Sequence, residues 1–142
     1  MGVSRVFWDT NVFIYFFEAQ DKLGPVARAL RESMIKRGDQ LLTSTMTLGE
    51  ILVKPRQQGD LALCRKYEEV LKATSVIVPF DVEAARQYSE VRQNRGVKAP
   101  DAIQLACAAV AKVDLFITND NRLHTLHIQG IQFIVPIDRA PL

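Results

Sequence analysis

Cysteine and histidine are scarce in this chain, two of each in 142 residues. Cys64 and Cys107 have no CxxC partner and no His-rich neighbourhood, which argues against zinc. Both are expected to be buried free thiols in a reducing cytosol. Long apolar runs are missing as well, and no stretch approaches the roughly 20 residues of a membrane span. The run Val12 to Phe17 follows Asp9 and Asn11 and lacks both a basic leader and a small-residue cleavage site, so a secretory signal is disfavoured. Gly2 is not read as a myristoylation site, because Val6 stands where Ser or Thr is wanted. These absences point to a cytoplasmic protein without a membrane. There is no internal repeat, no low-complexity segment and no dividing linker, so one domain over 1–142 is expected. Neither sign of charge dominates: 18 Lys and Arg face 16 Asp and Glu, for a net +2. That balance is too mild to announce nucleic-acid binding. It permits it, because an acidic cluster would mask positive charge elsewhere.

What is present is an alternation of short apolar runs with helical patterns. Strands are expected at Val3 to Trp8, Gln40 to Thr43, Ser75 to Val78, Leu115 to Thr118 and Gln132 to Val135. Helices are expected at Thr10 to Glu18, Pro25 to Lys36 and Thr45 to Val53, the last stopped before Pro55. Asp60 is read as the cap of a helix striped by Leu63, Tyr67 and Val70. Asp81 is read as the cap of another running to about Arg95 and ended by Gly96. Ala99 to Lys112 is the most apolar helix, with Ile103, Ala106, Cys107 and Val110 on one face. Strands separated by helices imply an α/β fold, a three-layer α/β/α sandwich around a parallel sheet of about five strands. In such sheets ligands bind beyond the carboxyl ends of the strands, where the strand order reverses.

Four acidic residues sit at the boundaries of these apolar elements: Asp9 after Val6-Phe7-Trp8, Glu50 within Leu48-Gly49-Glu50-Ile51, Asp101 after Pro100, and Asp120 after Ile117-Thr118-Asn119. Each has an ordinary explanation taken alone. Asp9 could cap a helix, Glu50 could face solvent, Asp101 could favour a helix dipole and Asp120 could shape a turn. Together they suggest converging carboxylates, whose mutual repulsion a hard divalent cation would relieve. Trp8 is expected in the core rather than stacked on a base, and Phe16 and Phe17 form an aromatic cluster with it. His124 and His127 are read as capping or surface residues rather than a general base.

The segments Asp9-Thr10-Asn11, Ser44-Thr45-Met46-Thr47-Leu48-Gly49-Glu50-Ile51, Asp101-Ala102-Ile103-Gln104-Leu105-Ala106 and Ile117-Thr118-Asn119-Asp120 resemble, in order and spacing, those of the PIN-domain ribonucleases, most of all the small VapC-type toxins of toxin–antitoxin pairs. The resemblance spans essentially the whole chain. It implies a PIN-like fold and a catalytic acidic quartet at Asp9, Glu50, Asp101 and Asp120, with Asn11 and Thr118 as accessory polar residues. It also implies an RNA substrate cleaved endonucleolytically, a cognate antitoxin and a homodimer. The helices Pro25–Lys36 and Asp60–Lys72 are both candidate dimer faces. An all-carboxylate site suits Mg²⁺ or Mn²⁺. Asp9 and Asp101 would hold the ion, with Glu50 and Asp120 ligating directly or through water. Lys54, Arg56, Arg95 and Lys98 are candidates for phosphate contact, although surface charge accounts for any one of them. An aspartate-nucleophile phosphatase is disfavoured, because its second aspartate is replaced by Asn11. The remaining alternatives are a non-catalytic PIN-like module that binds RNA or protein, and a purely structural domain.

Overall fold

The computed structural model describes residues 4–18 and 22–142. Five parallel strands, β1 (Arg5–Trp8), β2 (Gln40–Ser44), β3 (Val76–Val78), β4 (Val113–Ile117) and β5 (Ile131–Val135), form one sheet in the order β3-β2-β1-β4-β5. Parallel strands need crossovers, and here helices supply them. These are α1 (Thr10–Glu18), α2 (Leu23–Arg37), α3 (Thr45–Gln57), α4 (Leu61–Thr74), α5 (Val82–Val91) and α6 (Ala99–Ala111).

Strand periodicity of two divides the core. Val6 and Trp8 of β1, Leu41 of β2, and Leu115 and Ile117 of β4 pack with Val12, Phe13, Met34, Ile51 and Leu71 from α1 to α4. The intervening residues Phe7, Leu42 and Phe116 pack with Ala84, Val91, Leu105 and Cys107 from α5 and α6. The sheet is thus covered on both faces, as the alternation of elements implies. Phe7 and Phe116 lie opposite in register and their rings stack at 5.1 Å. Trp8 is fully buried against Phe13 and Phe16. Both cysteines are buried free thiols, and burial pushes the Cys107 thiol up to about 11.

The expected elements are all present, Thr10–Glu18 with the expected bounds and others with shifted ends; Val3 of the expected first strand lies outside the described residues. Two ends differ for identifiable reasons. Helix α3 does not stop before Pro55 but runs through it to Gln57. Pro55 withholds only one N–H, the one that would have met the Ile51 carbonyl. The following turn is held by Gln58 N–H donating to Lys54 O (3.1 Å) and Asp60 N–H donating to Pro55 O (2.9 Å). Helix α5 ends at Val91 rather than near Arg95. Gln93 and Asn94 donate to the carbonyls of Glu90 and Val91, tightening the exit into three-residue turns. Gly96 closes that exit at φ 86°.

Gly130 leads into β5 at φ 99°, where a Cβ would stand 2.4 Å from the Ala109 carbonyl oxygen of α6. Both the left-handed backbone and the close approach demand glycine. Gly130→Ala is expected to lower stability by about 3 kcal/mol, read as a reduced denaturation midpoint. An unchanged midpoint would mean that α6 and this turn separate freely. Among the described residues, no helix is long and apolar enough to cross a membrane.

Candidate active site

Strands β1 and β4 are neighbours, yet the chain leaves β1 towards β2 on one side and β4 towards β5 on the other. Diverging crossovers open a crevice at their carboxyl ends. Asp9 directly follows β1, and its N–H still extends the sheet by donating to Ile117 O at 3.0 Å. Thr118 directly follows β4 and donates its N–H to Val135 O at 3.1 Å. Asp101 lies in the first turn of α6, and Glu50 in the second turn of α3. Asp9, Glu50, Asp101 and Asp120, from four separate segments, line one open cleft of about 230 Å³. Thr10, Asn11, Ile14, Pro100 and Gln104 complete its walls.

The acids differ in environment. Asp9 is buried, 6% exposed, and is served by neutral donors: Thr10 N–H and Gln104 Nε2 to Oδ1 (2.8 and 3.3 Å), and the Thr118 hydroxyl to Oδ2 (2.7 Å). Burial pushes its pKa up to about 6, the charges of Asp101 and Glu50 push the same way, and the Thr118 and Thr10 bonds oppose them. Asp101 is raised too, first by burial and then by the charge of Asp120, against Arg122 and Lys98. Asp120 is lowered, chiefly by the Arg122 guanidinium bonded to it. Glu50 is exposed but anchored, its Oε1 accepting the Thr10 hydroxyl at 2.5 Å.

Asn11 and Thr118 sit together. Asn11 Nδ2 donates to Thr118 Oγ1 at 3.4 Å, and Asn11 Oδ1 accepts Asn119 N–H at 3.2 Å. The six residues singled out from sequence therefore meet at one strand edge. The basic candidates are not gathered in the same way. Lys98 precedes α6 and acts on Asp101, whereas Lys54 pairs with Glu18 at 3.6 Å beside a larger cleft lined by Phe17, Leu63 and Tyr67. His124 holds the exit of β4 through Nε2 and Thr118 O (2.8 Å), and His127 lines a different cleft with Gln87 and Glu90.

Acids at the other edge of the sheet give a useful contrast. Asp39 accepts Ser4 N–H and the Arg37 guanidinium, and Asp114 accepts Arg5 N–H. Those carboxylates are consumed in tying strands together. Those at the carboxyl edge remain directed into a cleft.

Besides Thr10, whose hydroxyl holds Glu50, two further site residues were not singled out from the sequence. Gln104, 2% exposed, lies one turn after Asp101 and holds the floor of the cleft. Its Nε2 donates to Thr47 Oγ1 (2.7 Å), Thr10 Oγ1 (3.0 Å) and Asp9 Oδ1 (3.3 Å), and its Oε1 accepts the Ser44 hydroxyl. The Thr43 hydroxyl extends this network, donating to Trp8 O at 3.0 Å. A polar residue on the inner face of the most apolar helix was the available signal. The other is Arg122, whose guanidinium grips Asp120. Its two-residue offset from Asp120 carries no periodic signature.

The architecture is a three-layer α/β/α domain with an acidic cleft at the carboxyl ends of its central strands. A family comparison identifies it further: the PIN domain matches residues 6–127, and the chain belongs to that family. No curated protein matches it by sequence. Among solved structures it is similar to VapBC2 from Rickettsia felis bound to a DNA fragment from its promoter, with TM-score 0.73 and 13% identity over 92% of this chain and 97% of that one. It is also similar to VapBC-5, of the VapBC toxin–antitoxin family, from Mycobacterium tuberculosis (TM-score 0.61, 22% identity, 94% and 98% covered). A third similar structure is VapC20, a Sarcin-Ricin loop cleaving toxin of the same organism (TM-score 0.63, 18% identity, 78% and 86% covered).

Proposed function

We propose that this protein is a divalent-cation-dependent endoribonuclease that hydrolyses RNA phosphodiester bonds, with residues 1–142 acting as a single nuclease domain. The observation that carries this reading is the meeting of Asp9, Glu50, Asp101 and Asp120 in one cleft of a PIN domain, a family whose members are typically nucleases.

Among the described residues, no three His, Cys, Asp or Glu side chains are gathered closely enough to make a finished metal cage. The donor set nevertheless fits a hard cation. It consists of carboxylate oxygens, which suit Mg²⁺ or Mn²⁺. A positive group, the Arg122 guanidinium, already lies across two of the acids. Asp9 and Asp101 would hold the ion, and Glu50 and Asp120 would complete its shell. A cation held by these carboxylates would supply Lewis-acid chemistry, lowering the pKa of an attacking water and offsetting charge on the phosphate. The chain's own contribution is positioning. Thr118, Thr10 and Gln104 fix the Asp9 carboxylate from three directions, Thr10 also fixes Glu50, and Asn11 holds Thr118. The cleft opens at a sheet edge, which gives single-stranded or looped RNA access to it.

We also propose that the protein is the toxin of a type II toxin–antitoxin pair, acts in the cytoplasm, forms a homodimer and is silenced by a cognate antitoxin. Similarity to structures of toxin–antitoxin complexes supports this reading. Purified protein is expected to cleave a mixed RNA pool with Mg²⁺ or Mn²⁺, to stop with EDTA, and to lose cleavage as Asp101→Asn. EDTA-resistant cleavage would reject the metal-dependent mechanism. Folded protein that binds RNA without cutting it would favour a binding module.

A further inference from the structure

Arg122 stands on the short turn Asn121–Leu123 that follows β4. The turn is anchored from below by buried Leu123. Three donors of Arg122 converge on Asp120: its backbone N–H and Nε on Oδ1 (3.1 and 2.9 Å) and Nη2 on Oδ2 (2.5 Å). The same Nη2 lies 3.8 Å from Asp101 Oδ2. One guanidinium thus spans two of the four acids lining the cleft, while Asp9 and Glu50 have no ion pair among the described residues. The Arg122 side chain is 60% exposed, against 23% for Asp101 and 21% for Asp120. It caps these carboxylates from the solvent side, itself the most exposed of the three.

From this juxtaposition we propose that Arg122 is a built-in competitor of the divalent cation: it occupies Asp101 and Asp120 in the cation-free protein and is displaced when the ion binds. This inference rests on the metal-dependent reading of the cleft and adds the residue that sets the affinity. An ion drawing ligands from Asp101 and Asp120 needs the oxygens that now face Nη2. Guanidinium and cation therefore oppose one another, and removing the first strengthens the second. The bidentate grip on Asp120 makes arginine a stronger competitor than lysine would be.

The test is isothermal titration of Mn²⁺, with Mg²⁺ in parallel, into wild type, Arg122→Gln, Arg122→Lys and Asp9→Asn, each shown to be folded by thermal melting. Arg122→Gln is expected to bind Mn²⁺ roughly tenfold more tightly than wild type. Arg122→Lys should fall between them and Asp9→Asn should bind weakly. In wild type labelled with ¹⁵N, the Arg122 Nε–H resonance should shift as Mg²⁺ saturates the site. Equal or weaker binding by Arg122→Gln, with binding still dependent on Asp9, would overturn the competitor role and leave the metal site standing. No binding by any variant would overturn the metal site itself, and the competitor role with it.

Discussion

Asp9→Asn is expected to reduce RNA cleavage by roughly a thousandfold or more while making the cation-free protein more stable at neutral pH. The two effects share one cause. Asp9 sits where its charge is costly, buried among neutral donors and facing Asp101 and Glu50. Its pKa rises from 3.8 unfolded to about 6 folded. A carboxyl group with a raised folded pKa costs nothing below the unfolded value, where both states are protonated. The cost grows as pH rises from about 3.8 and is complete above about 6. At roughly 1.4 kcal/mol per tenfold change in acidity, the penalty at pH 7 is about 3 kcal/mol. Asparagine removes the charge and returns part of that sum, less what it loses in its bond from the Thr118 hydroxyl. The variant's advantage over wild type should thus widen from pH 4 to pH 7 in melts run with EDTA. Saturating Mg²⁺ should reverse the order, because only wild type gains from binding. A variant that cuts RNA normally would remove Asp9 from the catalytic set. One that is less stable at every pH would show that its hydrogen bonds outweigh its charge.

Gln104→Leu is expected to cost about 3 kcal/mol of stability and to lower cleavage by roughly 10- to 100-fold. The substitution preserves approximate shape but strands the partners of a buried amide. The Ser44 hydroxyl loses its acceptor, and Thr47, Thr10 and Asp9 lose a donor. Unpaired polar groups in a dry site cost more than the bonds themselves contributed. Thr10 and Asp9 are then less constrained, and Glu50 moves with Thr10 because that hydroxyl holds its carboxylate. Gln104 acts through these side chains and is a positioning residue. Its signature is a loss of cleavage that persists at saturating Mg²⁺, at a temperature where the variant is fully folded. A variant that loses stability but keeps full cleavage would confine Gln104 to the core.

Burial of the sheet on both faces was legible in the chain because apolar residues run unbroken through Val6-Phe7-Trp8 of β1 and Leu115-Phe116-Ile117 of β4 and recur at helical spacing along α6. A strand covered on both sides has no polar face to alternate with. Element ends were less legible. Pro55 reads as a stop, yet a proline in the last turn sacrifices one hydrogen bond, and buried packing of its ring is compatible with the helix continuing. The acids were legible only as a set, since each alone has an ordinary role at an element boundary.

By itself the sequence determined the α/β alternation, the placement of Asp9 and Asp120 just beyond apolar strands, and the polar neighbours Asn11 and Thr118. These depend on local chemistry and on residues near in the chain. Only the tertiary structure decided which acids share a cleft and what each one feels. The strand order sets β1 beside β4, bringing Thr118 to 2.7 Å from an aspartate 109 residues away. Gln104 reaches that same aspartate from α6, 95 residues distant. It also decided that Arg122 lies across Asp101 as well as Asp120. Desolvation and Coulomb interactions depend on distance in space, and the linear chain carries that distance only after it has folded.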